Sequence, residues 1–169
     1  MKKFELTNEF VTNMFGTKLF RIRALVEFGD VEAGELGGYV EKESNLGHDD
    51  NAWVYGDARV YDNARVYDNA RVYGDAWVYG NARVCGDALV CGDALVCGNG
   101  DYAYAHGFGS VNRTTTFFRL KDGGVGVRCG CFYGTLAQFR DKIRETHGET
   151  KKAQEYLMLA DLMKLRFEK

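Results

Sequence analysis

The chain has 169 residues, with 24 acidic and 22 basic side chains, no proline and five cysteines. This length suits one domain with appendages and a core that needs no disulfide frame. The net charge of −2 argues against bulk duplex or sequence-specific nucleic-acid binding, and no apolar run of about 20 residues exists to cross a membrane. An odd cysteine count behind an N-terminus without a leader-type apolar stretch points to reduced thiols and a cytoplasmic protein. Charge is unevenly spread: residues 1–100 carry a net −6 and residues 101–169 a net +4. That basic C-terminal part either docks on its acidic neighbour or meets an anion.

Taken in chain order, Phe4–Leu6 and Leu19–Phe28 read as strands of a small N-terminal β cap, residues 1–38, with turns at Gly29–Asp30 and Gly37–Gly38. A second region, residues 39–100, is dominated by one repeat. From Ala52 the unit A-x-V-x-G-D/N recurs every six residues, with alanines at 52, 58, 64, 70, 76, 82, 88 and 94 and valines two positions after each. Ala and Val alternate with other residues, the period-2 signature of a short strand with one buried face. The G-D, G-N or D-N that follows supplies residues that tolerate left-handed turn conformations. Each hexapeptide is therefore one strand and one corner, a period too short for a helical repeat and suited to a parallel β-helix.

Gly98-Asn99-Gly100 breaks the repeat and opens an α/β module, residues 101–169. Tyr102–Phe108, Thr114–Leu120 and Val125–Phe132 read as strands, with Lys121-Asp122-Gly123-Gly124 as a hairpin turn. Thr135 and Gln138 have the spacing of a capping box that starts a helix ending near His147 and Gly148. A second helix over 150–167 places Ala153, Tyr156, Leu157, Ala160, Met163 and Phe167 at core-facing spacing.

The units V-Y-G-D-A-R, V-Y-G-N-A-R and V-C-G-D-A-L resemble the hexapeptide repeats of left-handed parallel β-helix proteins, over residues 52–98. The resemblance implies triangular coils of three hexapeptides, with positions eighteen apart stacked on one another. The flanks TKLFRIRALVEFGDVEAGELGGYVEKESNL and NRTTTFFRLKDGGVGVRCGCFYGTLAQFRDKIRETHGE are similar to those of small phage- and prophage-encoded members, usually described as transferases or left without an assigned activity. The expected fold is thus mainly β: a left-handed parallel β-helix, with an N-terminal β cap and a C-terminal α/β module.

Function would lie on the outward columns. One series reads Trp53, Arg59, Arg65, Arg71, Trp77, Arg83, Leu89, Leu95; the other reads Tyr55, Tyr61, Tyr67, Tyr73, Tyr79, Cys85, Cys91, Cys97. Stacked Arg, Tyr and Trp ladders suit self-contacts within the rod, a protein interface, or a surface that stacks a nucleobase and pairs a phosphate. Trp53, Tyr55, Arg59, Tyr61, Arg65, Tyr67, Arg71, Tyr73, Trp77, Tyr79 and Arg83 are the candidate binding residues, joined by Arg113 and Thr115 at a polar strand start. The switch to Cys and Leu after residue 85 marks an apolar patch that something covers. Leu89, Cys91, Leu95 and Cys97 are therefore candidate interface residues, against residues 101–169 or a second copy in a dimer or trimer.

Hexapeptide-repeat proteins include acyl- and acetyltransferases, which the resemblance keeps as an alternative with acyl-coenzyme A as cofactor. Those enzymes place a histidine on or near the coils, yet residues 52–98 contain none. His48, with Asp49 or Asp50 to orient its ring, is the nearest candidate base; His106 and His147 read as structural or surface residues. Cys129-Gly130-Cys131 alone is too sparse for a metal site and reads as two core positions on one strand face. No glycine-rich phosphate loop precedes a helix. The expectation is a non-catalytic scaffold or binder without cofactor or metal. By resemblance it acts on a host component, such as a bacterial defence protein or its small nucleotide signal.

Overall fold

The computed structural model of the chain describes residues 1–110 and 113–168; Val111, Asn112 and Lys169, all inside the expected C-terminal module, lie outside the described residues. The centre is a β-solenoid of about three turns. Its eight short strands are β4 (Trp53–Val54), β5 (Arg59–Val60), β6 (Arg65–Val66), β7 (Arg71–Val72), β8 (Trp77–Val78), β9 (Arg83–Val84), β10 (Leu89–Val90) and β11 (Leu95–Val96), preceded by β1 (Phe4–Thr12), β2 (Lys18–Ala24) and β3 (Leu36–Val40). Strands eighteen residues apart pair in parallel and in register: Trp53 with Arg71 and Leu89, Arg59 with Trp77 and Leu95, Arg65 with Arg83. The expected ladders are therefore present on three faces.

Every repeat alanine and valine from Ala52 to Val96 is fully buried, so one column of small and one of branched side chains fills the interior. Each corner turns at a residue with positive φ, spaced by six: Gly56, Asp62, Asp68, Gly74, Gly80, Gly86 and Gly92. Asp62 and Asp68 accept this strained conformation in exchange for a ladder bond. The Asp62 carboxylate accepts the Gly80 N–H at 3.2 Å and the Asp68 carboxylate accepts the Gly86 N–H at 3.1 Å, one coil on. Gly74 has no such freedom, because a Cβ there would sit 2.8 Å from the backbone nitrogen of Gly92.

The front cap is larger than the sequence suggests. β1 and β2 form an antiparallel hairpin, and β3 joins it to the solenoid by pairing in parallel with β5. Gly37 and Gly38 are not a turn: they lie inside β3, which runs across the expected boundary at residue 38. A Cβ on Gly37 would meet the Val54 carbonyl oxygen at 2.6 Å, and one on Gly38 the Ala58 carbonyl oxygen at the same distance. Close backbone approach, rather than chain reversal, requires these glycines.

At the back, β12 (Tyr102–His106), β13 (Thr114–Arg119), β14 (Val125–Cys129) and β15 (Phe132–Thr135) form an antiparallel sheet in chain order, followed by α1 (Leu136–His147) and α2 (Lys151–Phe167). The expected single strand over 125–132 is two strands, because Gly130 turns the chain with φ +59. Cys129 and Cys131 consequently do not share a face: Cys129 is buried and Cys131 exposed. The Thr135–Gln138 capping box is formed, as the spacing predicts.

β13 is buried on both sides, and its alternation joins two cores. Phe118 belongs to the solenoid core with Tyr102 and Leu120, whereas Phe117 packs with Val127, Phe139, Ile143, Tyr156, Ala160 and Met163 under the helices. The Thr116 hydroxyl accepts the Leu89 N–H at 3.0 Å, and Lys121 N–H donates to the Asp93 carbonyl at 3.0 Å. The C-terminal module therefore covers the last coil, leaving Cys91 buried, Leu89 and Leu95 half-buried and Cys97 exposed.

Replacing Val72 by Asp puts a carboxylate into an interior lined by Ala and Val, with no polar partner, at a cost of at least about 4 kcal/mol. The Val72→Asp protein is expected to lose its cooperative thermal unfolding transition, read by circular dichroism.

Candidate functional site

The three faces of the solenoid differ in what stands on them. On the β3–β5–β8–β11 face the side chains satisfy one another. Tyr61 is buried and stacks on Tyr79, rings 5.1 Å apart and 5° from parallel. The Arg59 guanidinium lies 5.4 Å from the Trp77 ring centre, and Lys121 Nζ lies 4.4 Å from it. Of the candidate binding residues, Arg59, Tyr61, Trp77 and Tyr79 are thus self-contacts here. Trp53 is also removed from the candidates: it is fully buried between Phe4 and Phe28, with ring centres 6.2 and 5.3 Å away. Thr115 is buried too, its hydroxyl donating to Cys129 Sγ at 3.3 Å.

The β4–β7–β10 face carries a groove. Its floor is Tyr55, Arg71, Tyr73 and Leu89. One wall is Gly29 and Asp30 of the front cap; the other is Arg113, Thr114, Arg128 and Gly130 of the C-terminal module. Two adjoining cavities of about 630 and 490 Å³ share Arg71 and Leu89. The first is edged by Asn51, Asn69 and Asp87, a corner ladder in which Asn51 donates to Asn69 and Asn69 to Asp87, each at 3.2 Å.

Three arginines from two parts of the fold meet in this groove. Arg71 is held by Asp30, Nη2 to Oδ2 2.6 Å. Arg113 is exposed and lies across Gly130, where its guanidinium occupies the space a Cβ would take. Arg128 lies 5.6 Å over the Tyr73 ring, and its Nε is buried without a hydrogen-bond partner among the described residues. Neither Arg113 nor Arg128 forms an ion pair among the described residues. Tyr55 meets Tyr73 edge to face at 6.3 Å. Burial raises the Tyr73 hydroxyl to about 12 and the Cys91 thiol beside it to about 11. Burial also raises Tyr55. The floor is therefore uncharged at neutral pH apart from Arg71, and the groove presents guanidinium groups beside aromatic rings.

Asp30, Arg128 and Gly130 were not among the residues picked from sequence. Strand alternation places Arg128 opposite Val127 and Cys129, away from the helices, but only module docking brings it over Tyr73. Asp30 lies in a G-D turn like any other corner.

His48 does not stand with Asp49 or Asp50 as a catalytic pair. Its ring stacks on Phe4 at 4.3 Å, and Nδ1 accepts the Lys3 N–H at 3.1 Å. The nearest carboxylate to Nε2 is that of Glu43, at 3.8 Å. Asp50 instead accepts from the buried Lys3 Nζ at 3.1 Å and from the Ala52 N–H at 3.1 Å. Burial lowers the Lys3 pKa, against the opposing pull of Asp50. Among the described residues no group of three or more His, Cys, Asp or Glu side chains is arranged to hold a metal ion, and no helix is long and apolar enough to cross a membrane.

A family model described as the YdcK beta solenoid repeat matches residues 52–66, 64–80 and 76–92. Over those residues the chain is similar to that repeat family. The match includes Tyr55, Arg71, Tyr73 and Leu89 of the groove floor, but neither Asp30 nor Arg113 and Arg128 of its walls. No curated protein matches the chain.

The cysteines provide a check on this arrangement. Cys131 is exposed; Cys97 is exposed but donates to Asp101 at 3.1 Å, a bond that raises its pKa. Cys91 and Cys129 are buried. Maleimide labelling at pH 7 followed by mass spectrometry is expected to modify Cys131 first and Cys97 more slowly, with Cys91 and Cys129 unmodified until denaturant is added.

Proposed function

We propose that the protein is a non-catalytic β-solenoid binder whose ligand, a small nucleotide or nucleotide-like anion, sits in the groove over Arg71. The carrying observation is the convergence of Arg71, Arg113 and Arg128 with Tyr55 and Tyr73 in one groove, where neither Arg113 nor Arg128 has an ion pair among the described residues. Phosphate oxygens suit the forked donors of Arg71 and Arg113, and a planar base suits Tyr55, Tyr73 and the face of Arg128. Asp30 anchors the Arg71 guanidinium at 2.6 Å. It is also an acceptor for a base amino group.

The acyltransferase alternative is less well supported, because His48 Nδ1 accepts the Lys3 main-chain N–H and the ring lines other surfaces than this groove. The finer features implied by the resemblance, left-handed winding and phage or prophage origin, belong to the same proposal. A phage or prophage origin would make a host nucleotide signal a natural occupant.

Calorimetric titration with nucleoside mono-, di- and triphosphates and cyclic nucleotides is expected to show saturable binding of at least one class. The Arg71→Gln/Arg113→Gln double variant should weaken it at least tenfold, since hydrogen bonds to charged groups contribute about 1.5–3 kcal/mol each. If none of these nucleotides binds, or if the double variant binds like the parent, the groove is not a nucleotide site. With acetyl-coenzyme A and small amines, no thiol release above the blank is expected. Turnover that disappears in His48→Ala would replace the binding reading with the enzymatic one.

A further inference from the structure

The third face of the solenoid holds an arginine pair that the groove does not use. β6 and β9 pair in parallel with Arg65 opposite Arg83, which puts their Cα atoms about 4.8 Å apart. Both side chains are exposed. Like charges directly opposite on a sheet repel and destabilise the pair. The other two ladders set no arginines side by side: Arg71 lies between Trp53 and Leu89 and pairs with the Asp30 carboxylate, and Arg59 lies beside the Trp77 ring. Among the described residues neither Arg65 nor Arg83 forms an ion pair, and Arg65 has only the Tyr67 ring, 6.0 Å away.

The pair does not stand on a bare surface. With Tyr67 it lines a cavity of about 430 Å³ whose far wall is Gly47, His48, Asp49 and Asp50. On that wall Asp50 is already engaged by Lys3 and by the Asp68 N–H, so Asp49 is its one acidic group without an ion pair among the described residues. The β-ladder fixes both arginine backbones side by side, and both side chains line this cavity.

We propose that Arg65 and Arg83 form a second anion site, separate from the groove, that takes a phosphate dianion, either inorganic phosphate or the terminal phosphate of a monoester. Two exposed guanidinium side chains rooted one strand spacing apart can close on the oxygens of one tetrahedral dianion, whose charge of about two neutralises both. A carboxylate neutralises only one of them.

Nuclear magnetic resonance titration of the arginine side-chain Nε–H signals tests this, with Arg65→Gln and Arg83→Gln assigning them. Inorganic phosphate and O-phosphoserine are the probes, and acetate at matched ionic strength is the control. Phosphate is expected to shift the Arg65 and Arg83 signals together and saturably. Half-saturation should move at least fivefold higher in Arg83→Gln, and acetate should shift neither signal saturably. Tighter phosphoserine binding identifies a monoester site, and tighter inorganic phosphate binding a site for the free ion. The Arg71→Gln/Arg113→Gln protein should titrate like the parent, so failure of the groove reading leaves this result intact. Equal response to acetate, non-saturating shifts, or an Arg83→Gln protein that titrates as the parent would overturn the proposal. Both variants change exposed side chains, and an unchanged backbone spectrum away from the pair confirms the fold.

Discussion

The structure depends on the corner. At every sixth position from Gly56 to Gly92 one residue takes a positive φ, and this single backbone conformation returns the chain to the interior in the same phase each time. Three such corners bring the strand back over itself after eighteen residues, so Ala falls on Ala and Val on Val. A shift of one residue in any coil would send Val outward and Arg, Tyr or Trp inward. Main-chain bonds between coils, such as Arg59 N–H to the Ala76 carbonyl at 2.9 Å, then tie each level to the next.

A rod built this way has two open ends and a repetitive surface, so its individuality comes from what closes it. Phe4, Ile22, Val31 and Trp53 close the front. β13 closes the back by placing Phe118 against the coils and Phe117 against the helices. Both closures overhang the β4–β7–β10 face, and the groove is the space between Asp30 on one side and Arg113 and Arg128 on the other. The net positive charge of residues 101–169 thus has two uses. Lys121 ties the module down, to the Asp75 carbonyl, and Arg119 braces it internally against Asp101. Among the described residues Arg113 and Arg128 form no ion pair, and both line the groove.

Equivalent sequence positions consequently have different fates. Trp53, Arg71 and Leu89 occupy one ladder, yet the first is sealed under the front cap, the second is an ion-paired groove residue and the third is half-buried groove floor. Tyr61 and Tyr79 stack on each other, while Tyr55 and Tyr73 meet edge to face beneath Arg128. The repeat sets the direction of each side chain, and its neighbours in space set its role.

The solenoid, its eighteen-residue register and its Ala/Val interior were legible from residues 52–98 alone, because they rest on period-2 alternation and turn residues, which act over a few positions. The capping box at Thr135 and the core stripe of α2 were legible for the same reason. The strand role of Gly37 and Gly38 was not, since it follows from contact with the Val54 and Ala58 carbonyls about twenty residues away. Nor was the break at Gly130 that separates Cys129 from Cys131. The burial of Trp53 and Thr115, the capture of His48 by Phe4 and Lys3, and the meeting of Asp30, Arg71 and Arg128 are all long-range events. Local pattern determines which way a side chain points from its own strand. Only the packing of separate segments decides what it points at, and that is why the coil could be read from the sequence while the groove required the tertiary structure.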